Sequence, residues 1–154
     1  MIRPLPYIPL LAACIILLEI SSSHAQSGSL SLGSGGGTPN QTFTVSVDMT
    51  NDTEVAGFQF AIFDSINAVD IDTIIATERV TGTSLKLNSN RVNEVTTIVL
   101  AYWTGGTAIL SGSGSVAEIT FRVRSDVFSG TYPIHLRAVA LADTGAATID
   151  DVTI

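Results

Sequence analysis

From Thr42 onward the chain alternates. Phe43, Val45, Val47 and Met49 are separated by Thr44, Ser46 and Asp48, a period of two that predicts a half-buried strand. Thr50-Asn-Asp-Thr53 reads as a turn. Val55 to Phe63 reads as a second strand, with Phe58, Phe60 and Ile62 on one face and Gly57, Gln59 and Ala61 on the other. Asp64-Ser-Ile-Asn67 is a further turn, Val69 to Ile75 a short strand, and Thr83 to Leu87 a weaker repeat of the pattern. Ala117, Ile119, Phe121 and Val123 alternate with Glu118, Thr120, Arg122 and Arg124 in the clearest strand of all.

Val95 to Trp103 is mostly apolar rather than alternating. Such a run suits a central strand covered on both faces, or one with a face open to a partner. Thr104-Gly-Gly-Thr107 and Ser111-Gly-Ser-Gly-Ser115 read as breaks. Tyr132, Ile134 and Leu136 share one parity, Val139 and Leu141 the other, which predicts a bulge near Arg137-Ala138. Ala147 to Ile154 reads as a last strand. Near the start, Leu30 and Leu32 alternate with serines as a short edge strand, and the stretch to Asn40 is a Gly/Ser-rich loop. No segment shows helical periodicity with caps. Strands at this spacing, with Gly, Ser, Asn and Asp between them, predict an all-β sandwich.

Composition sharpens that picture. Ser, Thr and Gly together make up nearly a third of the 154 residues, while charged residues are 14% against a usual ~25%. The net charge of −7, with scattered arginines and one lysine, argues against nucleic-acid binding, which needs clustered cations to displace counterions.

The first 25 residues read as an export signal. Arg3 supplies the positive start, Leu10 to Leu18 the apolar run, and Ser23 and Ala25 the small residues before a cleavage point at Gln26. A less favoured alternative is lipidation of Cys14, because Leu11-Ala-Ala-Cys14 fits a bacterial lipobox. Cleavage at Gln26 removes Arg3 and Glu19 together, so the net charge stays at −7. It also removes the one Cys and leaves His135 as the only histidine.

The remaining chemistry is sparse. A Ser/His/Asp triad would have to use His135, which falls at the polar parity of a strand, and a zinc site cannot be built from one His without Cys. Asp70 and Asp72 share a strand face, and Asp150 and Asp151 are adjacent. Asp48, Asp52 and Glu54 flank a turn that admits weak calcium binding. No pair points to glycosidase work, and no cofactor is expected. Asn40-Gln-Thr42 and Asn51-Asp-Thr53 are glycosylation sequons. Tyr102 and Trp103 stand out as adjacent aromatics at a strand exit. Neighbours on a strand face opposite ways, so one is expected in the core and one exposed, where it could stack on a sugar or anchor a protein.

The order of these motifs resembles the cohesin domain family. The resemblance rests on Thr44-Val-Ser-Val-Asp48, Val55-Ala-Gly-Phe-Gln-Phe60, Thr97-Ile-Val-Leu-Ala101, Gly112-Ser-Gly-Ser-Val-Ala-Glu-Ile-Thr-Phe-Arg-Val123 and Gly130-Thr-Tyr-Pro-Ile134. It covers about Leu30 to Ile154 as one domain and looks most like the divergent, non-cellulosomal members. It implies a jelly-roll β-sandwich of about nine strands, of the kind carbohydrate-binding modules also use, with no catalysis. It also implies a dockerin-type protein partner bound on one flat sheet face. Gly57 and Gln59 stand where cellulosomal members carry an Asn and an Asp that bond the dockerin. Ala101-Tyr-Trp-Thr-Gly105 replaces their Ala-Glu-Asp-Ser-Gly, so Tyr102 stands near a contacting Glu, and Thr104 and Gly105 near the Ser-Gly. Gln59 and Ala61 on one strand, with Val99 and Ala101 on another, are therefore expected to form a low-charge docking patch with Tyr102 or Trp103 as anchor. The same patch would suit packing in a homodimer, and the two aromatics would serve a polysaccharide in the alternative reading.

Overall fold

The alternation at 42–51 folds as the pattern requires: Val45, Val47 and Met49 are buried, and Thr44, Asp48 and Thr50 are exposed. The computed structural model describes residues 26–149 and the backbone of 151–153. The expected export signal and Cys14 lie outside the described residues. The elements are β1 (Ser27–Leu32), β2 (Thr42–Asn51), β3 (Gly57–Asp64), β4 (Val69–Ala76), α1 (Glu78–Thr81), β5 (Leu85–Asn93), β6 (Thr96–Trp103), β7 (Gly112–Val123), β8 (Ile134–Ala142) and β9 (Asp151–Thr153).

These strands form two sheets, ordered β4-β7-β2-β1-β9 and β5-β6-β3-β8. Neighbours are antiparallel except β1 and β9, which run parallel. The sheets close face to face as a jelly-roll β-sandwich. Leu30, Val47, Met49, Ile119 and Phe121 from one sheet meet Phe58, Phe60, Val99 and Leu141 from the other in one apolar core. Phe58 and Phe60, two apart on β3, stack with centroids 6.2 Å apart. With no disulfide among the described residues, burial of such side chains, each contributing about 1.5–3 kcal/mol, is the main stabilising force.

The structure corrects the sequence reading at four places. β1 is not an edge strand, because β9 pairs with its Ser27–Ser29 while β2 pairs along the other side. A single helical turn, α1, forms where none was expected. β5 runs to Asn93, well past Leu87, because its ladder with β6 continues through polar residues. The Gly/Ser segment 111–115 is not a break but, from Gly112, the start of β7. There Gly112 and Gly114 take φ of 139° and 149°, extended conformations that side-chain-bearing residues rarely adopt. The bulge expected near Arg137-Ala138 is present: Ala138 has φ 48°, and the β3–β8 register shifts between Gln59 and Ala61.

Arg79 of α1 reaches into the corner that this strand start creates. Its Nη1 donates to the carbonyls of Met49 (2.8 Å) and Gly114 (3.3 Å). Its Nη2 donates to Asn51 Oδ1 (2.6 Å) and the Leu110 carbonyl (3.1 Å). Burial lowers its pKa from the ordinary arginine value. Asn51, buried, spends its own Nδ2 on the carbonyls of Thr53 and Leu110. The sequon at Asn51 is thus locked inside the fold, whereas Asn40 is exposed.

The turn after β8 is organised by Asp143. Its Oδ1 accepts from the amides of Ala147 and Gly145, both at 2.9 Å, and its Oδ2 accepts from Gln26 Nε2 at 3.2 Å. These bonds, led by that from Ala147, hold its carboxyl below the ordinary value. The folded state therefore binds this proton less tightly than the unfolded chain. The resulting stabilisation is complete above the unfolded value of about 3.9 and is lost as pH falls through the lower folded value. Amide-exchange protection at Gly145 and Ala147 is expected to drop in that acid range. Asp143→Asn should lower it already at neutral pH; unchanged protection in the variant would refute this role.

Candidate functional site

The register of the four-stranded sheet sets out its outward face in rows. Lys86, Tyr102, Gly57 and Ala142 form one row; Asn88, Leu100, Gln59 and Ala140 the next; Asn90, Ile98, Ala61 and Arg137 the third. Leu100 is 42% exposed and Tyr102 43%. Of the two readings of the apolar 95–103 run, the structure takes the second: β6 buries one face and leaves the other open.

Gly57, Gln59 and Ala61 lie on that outward face as expected, although Ala61 is nearly covered. Val99 and Ala101 do not. They pair with Phe60 and Phe58 and point into the core at 0% and 1% exposure. The error is one of parity: residues directly opposite in a ladder share a face, so the partners of buried phenylalanines are themselves buried. Ile98 and Leu100 occupy the place assigned to them. Counting back from Tyr102 in steps of two finds both, and the uniformly apolar run hid that count.

Tyr102 and Trp103 are both exposed, where one was expected in the core. Trp103 has the inward parity, paired with the buried Leu85, but it ends β6. The chain then turns away at Gly105 and Gly106, with φ of 93° and 103°. Neighbouring strand residues point to opposite faces, so the two rings do not form one stacking platform. Thr104 is fixed in the adjoining loop, its amide and Oγ1 both donating to the Ser84 carbonyl at 3.1 and 2.7 Å. Gly105 is exposed in the same loop.

Four of the aspartates are engaged elsewhere. Asp72 accepts from Arg122 Nε at 3.1 Å, Asp70 faces Arg91 at 3.4 Å and Arg124 at 3.7 Å, and Asp48 accepts from Ser46 Oγ at 2.8 Å. Asp52 accepts from the amide and hydroxyl of Ser27, each at 2.9 Å. Among the described residues no three His, Cys, Asp or Glu side chains converge to hold a metal. Asp150 lies outside the described residues. A cavity of about 550 Å³ opens at one end of the sandwich, lined by Phe43, Phe121, Phe128 and Tyr132 among others, and no carboxylate or imidazole lines it. No described helix is long and apolar enough to cross a membrane.

The described strands form a nine-stranded β-sandwich with one broad, open, largely uncharged sheet face. The sequence model of the cohesin domain matches residues 28–154, and the chain belongs to the cohesin family. Among similar solved structures is a type I cohesin of Clostridium thermocellum in complex with a dockerin. It is 21% identical, with TM-score 0.67, covering 82% of this chain and 94% of that one. The sixth cohesin of scaffoldin B from Acetivibrio cellulolyticus, solved with a dockerin, is 17% identical with TM-score 0.69 over the same shares, 82% and 94%. A non-cellulosomal cohesin from the hyperthermophilic archaeon Archaeoglobus fulgidus is 16% identical with TM-score 0.68, covering 83% and 86%. At these identities the likeness is one of fold. No curated protein matches the sequence.

Proposed function

We propose that the chain is an exported, non-catalytic cohesin module that docks a dockerin-type protein on the outward face of β5-β6-β3-β8. Residues 1–25 serve as its export signal, and the remainder from about residue 30 is one domain. The observation that carries this reading is the exposure of Leu100 and Tyr102 side by side on β6, an inner strand of that face. Monomeric proteins seldom leave large apolar side chains grouped in this way unless something covers them. Interface anchors are commonly aromatic, which fits Tyr102 with Gln59 diagonal to it.

The test is a binding titration of the purified protein against a panel of dockerin modules, including any encoded by the same source. At least one is expected to bind. Tyr102→Ala should weaken that complex by about 10-fold or more, and Gln59→Ala by less. A panel without binding overturns the dockerin reading, and full affinity in both variants overturns the site.

A further inference from the structure

We infer that the docking face is built for an acidic partner: an amphipathic helix about 13 residues long, carrying carboxylates at both ends of its apolar stripe. This rests on the docking reading above and adds the chemistry of what docks.

The first observation is where the charges are. The net charge is −7, yet the four strands of the docking sheet contain a single carboxylate, Asp64. That one is buried and accepts from the amides of Ile66 and Val69. The acids of β2, β4 and β7 belong to the other sheet.

The second observation concerns the cations. Four of the six described ones are engaged: Arg79 by carbonyls and Asn51, Arg91 by Asp70, Arg122 by Asp72, and Arg124 by Asp70 and Asp126. Lys86 and Arg137 have no carboxylate partner among the described residues, and both lie on the docking face. The Arg137 guanidinium sits 3.6 Å from the centroid of the Phe63 ring. Stacking of that kind uses the flat face of the guanidinium and leaves its in-plane N–H donors for a carboxylate.

The third observation is geometric. Lys86 stands in the row of Gly57 at one edge of the sheet, and Arg137 in the row of Ala61 at the other. Four residues along the strands and three strand spacings across place them about 19 Å apart on a diagonal. A helix rising 1.5 Å per residue covers that diagonal with about 13 residues. Tyr102, Leu100 and Ile98 form the apolar ground beneath it. The backbone groups of β3 and β6 are already paired on both sides, so side chains must hold the partner, which suits the apolar stripe of a helix. An acidic helix would be repelled by the rest of this surface and attracted only here, which orients its approach.

Two labelled synthetic helical peptides with the same leucine stripe test this, one with glutamates at both ends and one with lysines. By fluorescence anisotropy at low salt, the glutamate peptide is expected to bind at least about fivefold more tightly. Raised salt and the Lys86→Glu/Arg137→Glu variant should both erase that preference. Equal affinity, or preference for the lysine peptide, overturns the charge assignment. Binding of neither peptide by a protein that still captures a dockerin overturns the helix chemistry and leaves the docking reading standing. Undiminished binding by Leu100→Asp shows that the peptides sit elsewhere and overturns the inference.

Discussion

Replacing Arg79 with alanine is expected to destabilise the fold by about 3 kcal/mol and to lower Tm by roughly 10 °C. The guanidinium joins α1 to β2 through Met49 and Asn51, to β7 through Gly114, and to the loop before it through Leu110. Each of these acceptors loses a donor in the variant. Hydrogen bonds to a charged group contribute more than neutral ones, and an acceptor left dry costs its desolvation. Arg79→Lys should recover only part of the loss, because an ammonium cannot span four acceptors with the planar fork of a guanidinium. Thermal or urea unfolding measures both, and a Tm within about 2 °C of wild type for Arg79→Ala would refute the role. Asn51→Ala combined with Arg79→Ala should cost less than the sum of the two, since the residues share a 2.6 Å bond.

Leu100→Asp is expected to weaken partner binding by about 100-fold or more while shifting stability by less than about 1 kcal/mol. The side chain already meets water on the open face, so the fold tolerates a carboxylate there. Under a docked partner the same carboxylate would be desolvated at the centre of the interface without a counter-charge. The adjacent residue should behave in the opposite way. Val99 is fully buried against Phe60, so Val99→Asp places an unpaired charge in the core and should unfold the protein. Circular-dichroism melts beside dockerin titrations separate the two effects. If Leu100→Asp binds normally, the outward face of β6 is not the docking surface.

The contrast between residues 99 and 100 also marks where the sequence stops being legible. In β2 up to Thr50 and in β7 from Ala117 the faces can be read directly, because polar residues fill every second position. In β6 all of Ile98, Val99, Leu100 and Ala101 are apolar, and nothing local says which pair is buried. The ladder decides it, by setting Val99 and Ala101 opposite the phenylalanines of β3. The same limit applies to Trp103. Its parity points inward, but a residue's burial depends on whether the core extends beneath it, and at the end of β6 the chain turns away. β9 escapes in another way: three residues pair with β1 from the far end of the sequence, so the neighbour that makes β1 interior is 124 positions away, at Ser27 and Asp151.

By itself, the sequence determined the all-β class, the alternating core positions Val45, Val47, Phe58, Phe60, Ile119 and Phe121, the bulge near Ala138 and the family. These depend on period, turn chemistry and motif order, which are properties of neighbouring residues. Only the tertiary structure decided which sheet each strand joined and which side of β6 met water. It also decided that Lys86 and Arg137, 51 positions apart in sequence, share one face free of exposed acids. Those features depend on pairing between distant strands, and a local pattern fixes a strand's two faces without fixing what lies beyond either one.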